Sequence, residues 1–165
     1  MNIHAKALVI HNDNIDTDVL YPGQYLNVLD PEEARSHLFE GLDPKLRDLL
    51  KEGDTVLFVG ENFGCGSSRE QPATAMAASG VRAVIGKSFA RIFARNCVNA
   101  GMPAYRNANA VLVAKQGDDI EINIKTGVVK IDGQEFPSEP LQPLPKESLD
   151  AGGMVPWIRK RLDKE

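Results

Sequence analysis

Two hydrophobic periods divide the chain. Residues 5–10, Ala-Lys-Ala-Leu-Val-Ile, form a short apolar run that predicts a first strand, and the polar loop 11–18 follows it. Asp30-Pro31-Glu32-Glu33 is a helix start, with Asp30 as N-cap, Pro31 in the first position and Glu33 placed for a capping box. That helix is expected to stop near Gly41. Asp43-Pro44 repeats the signal, and Leu46, Leu49 and Leu50 recur at helical spacing before Gly53, so the two helices read as an insertion within the domain. From Thr55 the pattern changes. Strands over 55–59 and 83–85 alternate with helices over 69–79 and 89–99, closed by Gly80 and Gly101, and Pro103-Ala104-Tyr105 begins another strand. Ile92, Phe93 and Val98 are the candidate core residues of the second helix. Strands joined by helices at this spacing predict βαβ units with parallel pairing.

The last third reads differently. Residues 110–114, 119–124 and 128–131 predict strands, with turns at 116–118, 126–127 and the hairpin pair Asp132-Gly133. The alternation Glu121-Ile122-Asn123-Ile124 fits an interface strand or a solvated edge equally well. Pro137, Pro140, Pro143 and Pro145 predict an extended segment, and an amphipathic helix is expected from about Val155 to Leu162. The fold class is therefore α/β, with a mixed sheet that has a parallel βαβ portion and an antiparallel portion in a single domain over residues 1–165.

Composition narrows the function classes. A net charge of −4 and only 6% aromatic residues give no basic, base-stacking footprint, so no nucleic-acid partner is expected. No stretch reaches the roughly 20 apolar residues of a membrane span, and residues 7–10 are too short for a signal-peptide core. The two cysteines, Cys65 and Cys97, make no disulfide framework, which fits a cytoplasmic location. They also fall short of the three or four thiolates an iron–sulfur cluster takes from one chain. His4, His11 and His37 show no metal-ligand spacing.

The chemistry concentrates in Asn62-Phe63-Gly64-Cys65-Gly66-Ser67-Ser68-Arg69-Glu70-Gln71, between a predicted strand and a predicted helix. A glycine-rich turn before a helix leaves N–H groups unpaired, and the helix dipole adds positive charge there. Two hydroxyls and a guanidinium at that point make a site for an anionic, carboxylate-type substrate. As an isolated pair, Ser67 and Ser68 also read as simple N-caps. Asp16 and Asp18, among Asn12, Asp13 and Asn14, also read as ordinary turn formers. Arg91 and Arg95, one helical turn apart, face the site, a partner chain or solvent.

With Asn14-Ile15-Asp16-Thr17-Asp18, Lys87-Ser88-Phe89-Ala90-Arg91-Ile92-Phe93 and Gly101-Met102-Pro103, this block resembles the small subunits of 3-isopropylmalate dehydratase, in the aconitase superfamily. The resemblance implies a swivelling-domain-like β/β/α fold with a barrel-like antiparallel portion. It implies that a separate large subunit carries a [4Fe–4S] cluster, that the two form a heterodimer or heterotetramer, and that the substrate is a small 2-hydroxy dicarboxylate. It also implies dehydration of 2-isopropylmalate and rehydration to 3-isopropylmalate in leucine biosynthesis. By position, Ser67 matches the catalytic serine, whose alkoxide would move the proton, and Arg69 the arginine that clamps a substrate carboxylate. Ser68, Thr17 and Asp18 match substrate-site positions, with Asp18 suited to orient Arg69. Tyr25-Leu26-Asn27-Val28 matches the loop that separates substrates, where relatives acting on a distal carboxylate often carry arginine at the position of Asn27. An amide is a weaker anion partner than a guanidinium, so Asn27 argues mildly against a second carboxylate without deciding the substrate. Small subunits of homoaconitase and of 2,3-dimethylmalate dehydratase stay open within this class. Outside it stands a non-catalytic anion-binding module built on the glycine-rich turn, although that turn does not end in the phosphate-loop Gly-Lys-Ser/Thr.

Overall fold

The computed structural model describes residues 2–51, 53–139, 141 and 143–163. Seven strands form one sheet in the order β4-β3-β2-β1-β5-β6-β7. They are β1 (Asn2–Ile10), β2 (Thr55–Val59), β3 (Val81–Gly86), β4 (Ala104–Arg106), β5 (Asp119–Asn123), β6 (Val128–Ile131) and β7 (Gln134–Pro137). The four strands β1 to β4 pair in parallel, and β5, β6 and β7 add antiparallel to the other side of β1. The helices are α1 (Thr17–Leu20), α2 (Pro31–Arg35), α3 (Leu46–Leu50), α4 (Gln71–Ala78), α5 (Arg91–Asn99), α6 (Ala108–Val113), α7 (Pro143–Asp150) and α8 (Met154–Leu162).

Strand β2 is buried along its whole length, as a central parallel strand covered on both faces should be. Its side chains divide by alternation between two cores. Leu57 and Val59 join Leu8, Met76, Phe63 and Phe93 under helices α2 to α5, whereas Val56 and Phe58 join Ile85, Tyr105, Ile122 and Val129 on the opposite face. That second face is concave. Strands lie about 4.8 Å apart, so β4 and β7, six spacings from each other, would be about 29 Å apart in a flat sheet. Yet Nδ2 of Asn107, one residue beyond β4, donates to the carbonyls of Phe136 at 3.2 Å and Pro137 at 3.3 Å in β7, and to Ser138 Oγ at 2.8 Å. Tyr105 reaches the Ile124 carbonyl at 3.3 Å in the same way. The sheet therefore curls into a half-barrel, and Ala110 and Val111 of α6 fill it.

Several expectations are corrected. Residues 110–114 form no strand; 108–113 are helix α6, started by Asn107, whose side chain accepts from the Ala110 N–H. The expected Pro-rich extended segment is partly helical, because Pro143 and Pro145 fall in the first turn of α7, where a missing N–H costs no hydrogen bond. Pro140 lies outside the described residues. Helix α2 ends at Arg35 and irregular turns continue to Leu42, although Asp30 caps it as expected by accepting from the Glu33 N–H at 3.3 Å. Phe93 is buried as expected, but Ile92 is 41% exposed; starting α5 at Arg91 turns Asn96 and Cys97 inward beside Phe93. Strand β5 is paired on both sides and is no edge.

Candidate active site

The loops that follow β1, β2 and β3 meet beyond the carboxyl ends of those parallel strands, where open α/β sheets place their ligands. Side chains and backbone knit them together. The Glu61 N–H donates to Asp13 Oδ1 at 2.7 Å, Asn62 Nδ2 to Asn14 Oδ1 at 3.0 Å, and the Asn62 N–H to Ser88 Oγ at 2.7 Å. Single β-bridges join Asp16 to Cys65 and Phe63 to Phe89.

Within this frame the glycines of the Gly64-Cys65-Gly66 loop have steric reasons. Gly64 has φ of 78° and presses against the Phe93 ring, and Gly66 has φ of 97° and closes on the carboxylate of Asp16. Either backbone angle is left-handed, and neither position has room for a Cβ. Asp16 in turn caps α1 by accepting from the Asp18 N–H at 2.7 Å. The loop after β2 thus lies directly on the start of α1, which brings Thr17 and Asp18 beside Ser67 and Arg69.

The Ser67 N–H donates to Thr17 Oγ1 at 3.1 Å, and the Arg69 N–H donates to Ser67 Oγ at 3.3 Å. Neither serine caps a helix. The N-cap of α4 is Glu70, without a side-chain capping bond, and Ser67 stands four residues before Gln71, the first residue of that helix. Since a helix dipole fades within one turn, electrostatic support for Ser67 Oγ comes chiefly from the Arg69 amide rather than from α4. The guanidinium of Arg69 forms an ion pair with Asp18 through Nη1, its side chain 32% exposed, which leaves further N–H donors for an incoming anion. Thr17 is buried, Ser67 half-buried and Ser68 exposed.

Asn27 is exposed. Its loop is tied to the site through the neighbouring Leu26, whose carbonyl accepts from Gln71 Nε2 at 3.4 Å. The residue that sequence reasoning missed is Asn96. Its Nδ2 donates to the carbonyls of Ser68 at 3.4 Å and Arg69 at 3.1 Å, fixing the loop from below. A polar residue on the inward face of an otherwise amphipathic helix was its signal. Arg91 and Arg95 are both exposed. Cys65 is half-buried in the loop, and Cys97 is fully buried in apolar surroundings that push its thiol well above the usual range. Among the described residues no group of three or more His, Cys, Asp or Glu could hold a metal ion, and no helix is long and apolar enough to cross a membrane.

A mixed, curled sheet with this loop constellation at the parallel strand ends defines the class: residues 45–107 match the aconitase C-terminal domain. The chain is 42% identical to the 3-isopropylmalate dehydratase small subunit of Caldanaerobacter subterraneus, over 97% of its own length and 99% of that protein. It is 43% identical to that of Thermodesulfovibrio yellowstonii, over 93% and 92%. The crystal structure of a 3-isopropylmalate dehydratase from Methanocaldococcus jannaschii superposes with a TM-score of 0.88 at 41% identity, covering 98% of this chain and 96% of that one. The chain belongs to the family of 3-isopropylmalate dehydratase small subunits.

Proposed function

We infer that the chain is the small subunit of a two-chain hydro-lyase that converts 2-isopropylmalate to 3-isopropylmalate, by dehydration and rehydration, in leucine biosynthesis. The observation that carries this reading is similarity at about two-fifths identity, over nearly the full length, to relatives named for that activity. Those names favour isopropylmalate over the homoaconitase and dimethylmalate alternatives and over a non-catalytic anion-binding module. We further propose that the chain forms a single swivelling domain and works in the cytoplasm. Its proposed partner is a large subunit that holds the [4Fe–4S] cluster, in a heterodimer or heterotetramer. That among the described residues no group of three or more His, Cys, Asp or Glu could hold a metal supports assigning the cluster to the partner.

Ser67 is the proposed catalytic base. An alkoxide at its Oγ takes the proton from the carbon beside a substrate carboxylate. The C–H electron pair becomes the double bond as hydroxide departs from the neighbouring carbon, and rehydration reverses both steps at exchanged positions. Donation from the Arg69 N–H favours the charged form of that oxygen. The Arg69 guanidinium, oriented by Asp18, clamps the carboxylate, since its planar fork suits bidentate contact. Thr17 holds the Ser67 backbone, and Ser68 and Asn27, both exposed at the rim, are the proposed outer substrate contacts.

Co-expression with a cluster-bearing large subunit under anaerobic conditions tests the reading. The pair should be brown and active on 2-isopropylmalate, and the isolated chain colourless and inactive; activity of the isolated chain would reject it. Ser67→Ala should lower turnover by about a thousandfold or more while the pair still co-purifies. Near-normal turnover in that variant would remove Ser67 from the chemistry.

A further inference from the structure

The Arg69 guanidinium has Asp18 on one side and the backbone of a short 3-10 turn, Gly23–Tyr25, on another; a Cβ at Gly23 would come within 2.7 Å of Nη1. The anchor of that turn is its last residue. The Tyr25 ring lies parallel to the His37 imidazole, with centroids 3.5 Å apart and planes 11° apart. Tyr25 Oη donates to Oε1 of Glu40 at 3.0 Å, and His37 Nδ1 meets Oε2 of the same carboxylate at 3.2 Å. A carboxylate can only accept, so that ring nitrogen carries the hydrogen. These two donors, His37 foremost, hold the Glu40 carboxyl below the usual range. Tyr21 adds a bond from its hydroxyl to the Tyr25 carbonyl at 3.2 Å and stands edge-on to both rings.

The backbone has been bent to assemble this cluster. Phe39, between His37 and Glu40, has φ of 61°, a left-handed angle that a bulky residue adopts only where its surroundings impose it. Its ring is fully buried, and its N–H donates at 2.7 Å to the carbonyl of Leu20, the last residue of α1. The same knot therefore ties down the helix that carries Asp18 and the turn that covers the guanidinium.

We propose that Tyr25, His37 and Glu40 are positioning residues for the Arg69 clamp. Their ring stack and the two hydrogen bonds to one carboxylate hold residues 23–26 at the separation that leaves guanidinium donors facing the substrate carboxylate. This rests on the function inferred above, and two separate readouts keep the two ideas apart. Tyr25→Phe keeps the stack and removes one donor; Glu40→Gln keeps the side-chain shape and removes the charge. In the reconstituted pair, each should raise KM for 2-isopropylmalate about tenfold, with kcat within about twofold. The double variant should be little worse than either single one, because all three groups act as a unit. In the isolated chain, nitrogen-15 NMR should show the side-chain N–H signals of Arg69 broadened or shifted in both variants. Wild-type KM values, or Arg69 signals unchanged from wild type, would overturn the proposal even if melting temperatures fall. If Glu40→Gln does not fold, Tyr25→Phe alone decides by the same two measurements. An inactive wild-type pair would sink the functional reading and leave the NMR arm standing.

Discussion

Gly66 shows how little freedom the loop of the candidate site has. Its left-handed angle disfavours any side chain by about 1–2 kcal/mol, and a methyl group would also displace Asp16 from the cap of α1. Gly66→Ala should therefore lower stability by at least about 2 kcal/mol in urea unfolding, and reduce turnover of the reconstituted pair more than the stability loss explains. Unchanged kinetics would mean that the loop and α1 can shift independently. The glycine-serine-arginine block was legible in the sequence because special backbone angles and chemistry-bearing side chains were contiguous. Its support was legible only in part. Asp16 and Asp18 lie about fifty positions upstream and read locally as turn formers. The resemblance paired Asp18 with Arg69, and the two form an ion pair, but only the fold could show that Asp16 caps α1 and that Thr17 accepts from the Ser67 N–H. The same applies to His37, which a search for metal spacing passed over and which the fold lays against Tyr25.

Elements with a strong period or cap were readable: β2 lies at its expected bounds and α2 begins where Asp30 and Pro31 place it. Helix α6 was misread because Ala110 to Val113 is a short apolar run that period alone cannot assign. The deciding residue is Asn107, whose Oδ1 caps α6 while its Nδ2 serves β7. Replacement can separate the two tasks. Asn107→Ala loses both and should cost about 2–3 kcal/mol in chemical unfolding. Asn107→Asp keeps a capping acceptor but turns a carboxylate toward the two acceptor carbonyls of Phe136 and Pro137, so it should be at least as destabilising; wild-type stability in the Asp variant would show that the contact to β7 contributes little. Helix α2 stopped short of its expected end for a tertiary reason. The turns after it are drawn onto α1 by the Phe39 to Leu20 bond, which no local propensity encodes.

Across the whole molecule, the parallel and antiparallel portions were legible as a change of pattern, but not the curl that joins them. Tyr105 reports on that curl. Burial pushes its hydroxyl up to about 12, against an ordinary value near 10. Because the folded value is the higher one, its contribution is complete below about pH 10 and is lost as the pH rises through about 12, when the unfolded chain ionises first. Wild-type melting temperature should fall over that interval more steeply than that of Tyr105→Phe; parallel curves would place the alkaline sensitivity elsewhere. The curl has one more consequence, for life at high concentration. Unpaired strand edges template the growth of aggregates, and in this sheet β4 and β7 bring their ends together under a single amide side chain. Asn107→Ala, which would free those ends, is therefore expected to turn a concentrated solution turbid while dilute protein stays folded; light scattering equal to that of wild type would mean that the edges are protected without it.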